Sequence, residues 1–234
     1  MMQKNLTKYI LITIICLIFT IALFEFTAID IIVQGYFYNL DTSSWALDSS
    51  EPILKFLLYD GIKKLLIFFA FLILCSLIFF RKKKIIINYK KGLIIVLLSA
   101  IIIPVTVGAL KATTNMPCPK NIEFFGGNYP DVKLLDSYPI EFMQNKKIKC
   151  WPAGHASGGF ALLSLFFLFK KRRNQIYALS FALTVGWSMG TYKMLIGDHF
   201  LSHTIITMLI ACLLVLIIYK IISYMGKRKY VQQQ

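Results

Sequence analysis

The chain has 234 residues, 57% of them hydrophobic, and a formal net charge of +15. So little polar surface cannot coat a soluble domain of this size, so an integral membrane protein is expected. The charge does not point to nucleic acid, because the basic clusters flank apolar runs and no recognition motif accompanies them; anionic lipid is the expected contact.

A helix needs roughly 20 mostly apolar residues to cross the hydrocarbon layer. Six such stretches stand near 9-29, 61-80, 92-112, 154-169, 176-194 and 200-219, the fourth being the shortest. Lys4 and Lys8 give the first the look of a secretory signal. Its apolar run is longer than a usual signal core, however, and no small-residue cleavage site follows, so a retained helix is expected. Heptads, solenoid repeats and low-complexity tracts are absent. The expected fold is all-α, a polytopic membrane helical bundle of six transmembrane helices forming one domain over 1-234.

Basic residues cluster at Lys4 and Lys8, Arg81 to Lys84 with Lys90 and Lys91, Lys170 to Arg173, and Lys220 with Lys227 to Lys229. These clusters separate alternate spans, and none of the eleven acidic residues lies among them. The positive-inside rule makes that side cytoplasmic, with both termini inside. Two longer segments then face outward. Residues 30 to 60 carry Tyr36, Phe37, Tyr38, Trp45 and Pro52 and are expected to form amphipathic helices on the bilayer surface. Residues 113-152, with Pro117, Pro119, Gly126, Gly127 and Pro130, form a loop long enough to expect a function.

Cys16, Cys75 and Cys212 fall within apolar spans, where a small buried hydrophobe is the plain reading. Cys118 and Cys150 bracket the outward loop. They are either two free thiols or, in an oxidising compartment, a disulfide closing about 31 residues and adding roughly 3 kcal/mol.

Only three histidines occur, His155, His199 and His203. His155 and His199 each stand where an apolar run meets a polar segment on the outward face. Imidazole serves as nucleophile, acid or base near neutral pH, so two at one depth suggest chemistry on an amphiphile. His203 follows His199 by one helical turn, and an i, i+4 pair can hold a metal. A zinc protease motif would need Glu where Phe200 stands, but a three-histidine zinc site with His155 remains an alternative.

Three motifs follow in order: Lys111-x6-Cys118-Pro119, Pro152-Ala153-Gly154-His155 and Lys193-x5-His199-x3-His203. Their order and spacing resemble the three-part signature of the type 2 phosphatidic acid phosphatase superfamily, K-x6-R-P, P-S-G-H and S-R-x5-H-x3-D. The resemblance implies a six-helix membrane fold with an outward-facing active site. It assigns phosphorus attack to His199, forming a phosphohistidine, and acid/base work to His155. Lys111 and Lys193 would hold the phosphate, and Gly154 would let backbone approach the anion. No cofactor or metal is expected.

The chain departs from that signature at several positions. Cys118 and Lys193 stand where the family has arginines, so two bidentate forks are lost. Ala153 replaces a serine, for which Ser157 is the candidate substitute. His203 replaces the aspartate that orients the nucleophile; a neutral imidazole accepts that hydrogen bond without a carboxylate's charge. Asp198 is expected to cap the following helix or set the polarity around His199, and Lys63 or Lys64 is a further candidate for phosphate contact.

The combined C-P, P-A-G-H-A-S and G-D-H-F-L-S-H wording is similar to one bacterial branch, the inner-membrane lipid A 4'-phosphatases. It implies removal of a lipid A phosphate at the periplasmic face. Undecaprenyl diphosphate and phosphatidylglycerophosphate are alternative substrates, and a noncatalytic lipid-phosphate binding or transport protein is an alternative class.

Overall fold

A computed structural model describes residues 5–231. Lys4 lies outside them, and so do the side chains of Lys227 to Lys229. Helix α1 (Leu6–Glu25) is apolar around most of its circumference, and Leu11, Ile15, Ile18 and Phe19 are exposed. So many uncovered apolar side chains suit a helix that faces lipid. The helix Pro52–Phe79 has the same character, with Leu65, Phe68, Phe71 and Phe79 outward. It begins as α3 (Pro52–Lys55), passes through a π-helical turn at Phe56–Asp60 and continues as α4 (Gly61–Phe79).

Among the described residues four helices are long and apolar enough to cross a membrane: Leu6–Glu25, Pro52–Phe79, Lys84–Thr113 and Leu201–Gly226. The third is α5 (Lys84–Thr113), and the fourth is most of α8 (Leu201–Val231). The other two expected spans differ. α6 is only Gly154–Ala161, followed by a 3-10 stretch at Leu162–Phe167. At the rises of those helices the pair reaches about 24 Å, short of the ~30 Å hydrocarbon layer. α7 (Arg172–Leu195) has 24 residues, but Arg172, Arg173, Gln175, Thr184, Ser188 and Lys193 dilute its apolar content.

Small residues explain why α6 sits inside the bundle rather than against lipid. A Cβ on Gly159 would stand 2.7 Å from the Gly186 Cα, so α6 and α7 cross nearly backbone to backbone. α6 packs on α5, α7 and α8 together, and Val96, Ile103, Val107, Phe160, Ala182, Ile206 and Ala211 form the core around it. α1 lies along α8.

The segment expected to lie as surface helices is more varied. α2 (Ile29–Gly35) is followed by a two-stranded hairpin, β1 (Tyr38–Asn39) and β2 (Ser44–Trp45), paired Tyr38 to Trp45 and Asn39 to Ser44. Asn39 Oδ1 accepts from the backbone N–H groups of Asp41 and Thr42, which closes the turn. Tyr38 and Trp45 then pack on each other and on Phe125, with ring centroids 4.8 to 5.3 Å apart. This aromatic knot ties the hairpin to the long loop.

The bundle has two chemically distinct ends. At one, Lys91 lies over Tyr219, Lys170 over Tyr89, and Lys220 Nζ approaches Thr7 Oγ1 at 3.4 Å. The three motifs gather at the other end, at the C-termini of α5 and α7 and the N-termini of α6 and α8.

Candidate active site

Backbone and hydroxyl contacts join the three motifs. Thr114 Oγ1 donates to the Trp151 carbonyl at 2.7 Å, and Cys150 N donates to Met116 O at 3.1 Å. Thr207 Oγ1 accepts from Ala153 N at 2.9 Å while donating to His203 O at 2.7 Å. Lys120 N donates to Gly197 O at 3.0 Å. A disulfide joins Cys118 to Cys150, whose Cα atoms stand 5.2 Å apart. Gly197 adopts φ +72, a left-handed conformation that ends α7 and turns the chain into Asp198 and His199. The Trp45 indole covers the space a side chain at Gly197 would fill.

His155 lies in the first turn of α6, and its ring centroid is 6.2 Å from that of His199. Its Nδ1 is buried and has no hydrogen-bond partner. The edge of Tyr59 meets the His155 ring at 4.6 Å, and Lys193 Nζ lies 4.6 Å from the Tyr59 ring. Tyr59 comes from the π-helical turn ahead of α4, and nothing in the sequence patterning marks that turn. One extra residue in the turn rotates Tyr59 relative to the lipid-facing side chains on either side.

A cavity of about 590 Å³ opens beside His155. Lys63, Lys111, Gly154, His155 and Ser157 form its polar part, and Leu66, Phe69, Val96, Ile101 and Pro104 are among the apolar residues that continue it between α4 and α5. Of the two lysines at the start of α4, Lys63 lines the cavity, whereas Lys64 turns to the Phe56 ring. The Ser157 hydroxyl donates to Gly154 O at 2.6 Å, so its proton serves the helix backbone. The Lys111 stem runs past Gly154, where a Cβ would meet Lys111 Cδ at 3.8 Å.

His199 is 2% exposed and does not line that cavity. Its Nδ1 lies 3.2 Å from His203 Nδ1. Burial, joined by the positive charges around it, holds the His199 imidazole well below its ordinary pKa and keeps it neutral at neutral pH. Lys193 Nζ pairs with Asp198 Oδ2 at 2.8 Å, and Lys120 Nζ with Asp198 Oδ1 at 2.7 Å. Burial alone would raise the Asp198 carboxyl, but these two ammonium groups prevail and lower it. Asp198 therefore serves as a bridge between cations. The cap of α8 comes from elsewhere: Asp30 Oδ1 of α2 accepts from Ser202 N at 2.9 Å. Lys120, Asp30 and Tyr59 all lie far in sequence from the groups they touch, and only the ion pair, cap and ring contacts reveal them.

Among the described residues, ligand atoms of Cys150, His199 and His203 converge within 4.8 Å of one another. His155 is outside that group, so the three-histidine zinc arrangement does not form. The Cys150 sulfur is bonded to Cys118 and bears neither a proton nor a thiolate charge. Its approaches to Asp198 O at 2.9 Å and His199 Nδ1 at 3.6 Å are packing contacts.

No curated protein and no solved structure matches the chain. The family model of the PAP2 superfamily matches residues 92–227, which take in all three motifs and more than half the chain. With that match over helices α5 to α8, the chain belongs to the PAP2 superfamily, whose members are phosphatases.

Proposed function

We propose that this membrane protein is a metal-independent lipid phosphate phosphatase that works through a phosphohistidine, with lipid A as substrate. The carrying observation is the cavity that couples a cationic mouth, Lys63 and Lys111 beside His155, to an apolar channel between α4 and α5. A phosphorylated headgroup suits the first part and an acyl chain the second. Lipid A is preferred among such lipids on the wording of the three motifs; undecaprenyl diphosphate and phosphatidylglycerophosphate fit the same cavity.

In the proposed reaction His199 Nε2 attacks phosphorus while His155 protonates the departing oxygen. Water, deprotonated by His155, then cleaves the P–N bond and releases phosphate. For Nε2 to hold the lone pair, the proton of His199 must sit on Nδ1 and point to His203 Nδ1. Lys111 and Lys193 hold the phosphoryl oxygens, and the backbone at Gly154 receives them at the start of α6. Because Lys193 rests on Asp198 and His199 is covered, an arriving phosphate has to draw Lys193 away from its carboxylate.

On this reading the basic end faces the cytoplasm of a bacterial inner membrane, the site faces the periplasm, and α6 and α7 complete six crossings. Loop 113-152 covers the headgroup. The covered nucleophile also favours a second reading, a noncatalytic lipid-phosphate binder.

The test supplies the three lipids, with chelator present, to purified wild type and His199→Ala and measures released phosphate. Release from lipid A that vanishes in the variant supports the proposal. Preference for another lipid replaces the substrate, and tight lipid binding with no release from any of them establishes the noncatalytic reading.

A further inference from the structure

We infer that reduction of the Cys118–Cys150 disulfide converts the His199–His203 pair into a zinc site, with Cys150 as third ligand. The spacing of the donor atoms carries this. Two imidazole nitrogens at roughly 2.0–2.1 Å from a tetrahedral zinc stand about 3.3 Å apart, and such a nitrogen stands about 3.6 Å from a thiolate bound at ~2.3 Å. His199 Nδ1 and His203 Nδ1 are 3.2 Å apart, and His199 Nδ1 and Cys150 Sγ are 3.6 Å apart. The three ligand atoms lie within 4.8 Å of one another, so closing the remaining edge takes a small movement of one side chain. All three residues are buried, which favours a dehydrated soft-ligand site.

The second observation is the ring of His203. Its Nε2 is buried with no partner, so the hydrogen bonds within the pair do not satisfy both rings. With no partner at Nε2 to fix the His203 ring, zinc can take its Nδ1 without breaking a hydrogen bond at the other nitrogen, and a water would supply the fourth ligand.

The disulfide is the gate. A dithiol reductant attacks the Cys118 sulfur as a thiolate, and Cys150 departs as a thiolate. The second thiol of the reductant then resolves the mixed disulfide. Two electrons and two protons pass to the protein, leaving both cysteines as thiols and the reductant as a disulfide. Zinc displaces the Cys150 proton, which is released to solvent. Each imidazole keeps its single proton: that of His203 stays on Nε2, and that of His199 moves from Nδ1 to Nε2 because its Nδ1 is bound to the metal.

That last shift has a catalytic consequence, which rests on the reading of His199 as nucleophile. With the proton on His199 Nε2, that nitrogen has no lone pair for phosphorus. Zinc would silence the reduced enzyme and leave the oxidised enzyme untouched, because a bridged sulfur is not a thiolate.

The full-length protein in detergent is titrated with Co²⁺ in four forms: oxidised wild type, wild type reduced by a dithiol and desalted without air, Cys118→Ser and Cys150→Ser. Circular dichroism and elution volume check the fold of each. Reduced wild type and Cys118→Ser should take one equivalent, with thiolate-to-cobalt absorption and the intense visible bands of a tetrahedral site, and zinc should erase both. Zinc should also lower phosphate release at least tenfold in Cys118→Ser while leaving oxidised wild type unchanged. The idea is overturned if reduced wild type binds no more cobalt than oxidised, or if reduced Cys150→Ser keeps the thiolate bands, which would then come from Cys16, Cys75 or Cys212. Cobalt binding as expected in a chain that releases no phosphate under any condition would remove the catalytic reading and leave the metal site standing.

Discussion

His199 Nδ1 and His203 Nδ1 face each other at 3.2 Å, so one N–H···N hydrogen bond joins the two buried rings where the family signature has a histidine and a carboxylate. In the proposed mechanism such a neutral acceptor orients the nucleophile but adds no charge to stabilise the imidazolium character that develops as phosphorus bonds to Nε2. His203→Ala should therefore lower phosphate release by about 100-fold, since both orientation and tautomer are lost. His203→Asp should retain release and raise it by about tenfold, the equivalent of ~1.4 kcal/mol from a charge-assisted bond. Steady-state release from a lipid phosphate measures both. An unchanged rate in His203→Ala would show that the pair plays no part in turnover.

If Lys193 holds phosphate as proposed, Asp198 competes with the substrate for it. Its two ion pairs, at 2.7 and 2.8 Å, neutralise charge that the site needs free when an anion arrives. Asp198→Asn should tighten inhibition by inorganic phosphate about fivefold, close to the ~1 kcal/mol of one net hydrogen bond. Because the folded carboxyl is lowered despite its burial, its contribution to stability is present above the ordinary carboxylate range. It is lost as pH falls through the lowered pKa. Acid unfolding of Asp198→Asn should accordingly lack that part of the wild-type slope, and superimposable curves would refute the ion-pair account.

Motif spacing singled out His155, His199, Lys111 and Lys193, and the structure gathers them at one end of the bundle because each stands within a few residues of a helix end. The membrane character of α1, α4, α5 and α8 was equally plain, since lipid-facing helices must be apolar all round. The expected fourth and fifth spans were harder to read. The stretch from Gly154 is packed by glycine contacts rather than by lipid, and α7 carries polar residues, only Lys193 of them a buried charge, that a hydropathy sum counts against it. Asp30, Tyr59 and Lys120 were out of reach for a different reason. Their partners, Ser202, His155 and Asp198, lie far along the chain, and single tyrosines and charges carry no period that would announce a tertiary contact.

Asp30 should make the chain's stability depend on pH in the opposite sense to Asp198. Burial pushes its carboxyl up to about 6, against hydrogen bonds from Ser202 that hold it down. A carboxyl raised on folding keeps its proton more tightly in the native state, so this contribution is largest below the unfolded value of 3.8 and is lost as pH rises through about 6. The loss is roughly 3 kcal/mol across that window. Asp30→Asn retains an oxygen for Ser202 N and should flatten this part of the profile, gaining stability at pH 8 relative to wild type. Asp30→Ala should lose about 1 kcal/mol as a missing cap when compared with Asp30→Asn. Thermal unfolding in detergent across pH 4 to 8 reads all three.

Gly108 gives a way to separate the acyl channel from the chemistry. It lines the cavity, and a Cβ there would meet nothing within 4 Å. Gly108→Leu therefore places a branched side chain in the channel without forcing the backbone, and replacing a helix-interior glycine favours α5 by somewhat under 1 kcal/mol. The variant should be as stable as wild type or slightly more so. Against a long-chain lipid phosphate its KM should rise about tenfold, equivalent to ~1.4 kcal/mol of lost apolar contact. Against a short-chain soluble phosphate kcat/KM should not change, because Lys63, Lys111 and His155 at the mouth are untouched. Equal losses on both substrates would mean that the channel does not hold the chain and that Gly108 acts by shifting the site itself.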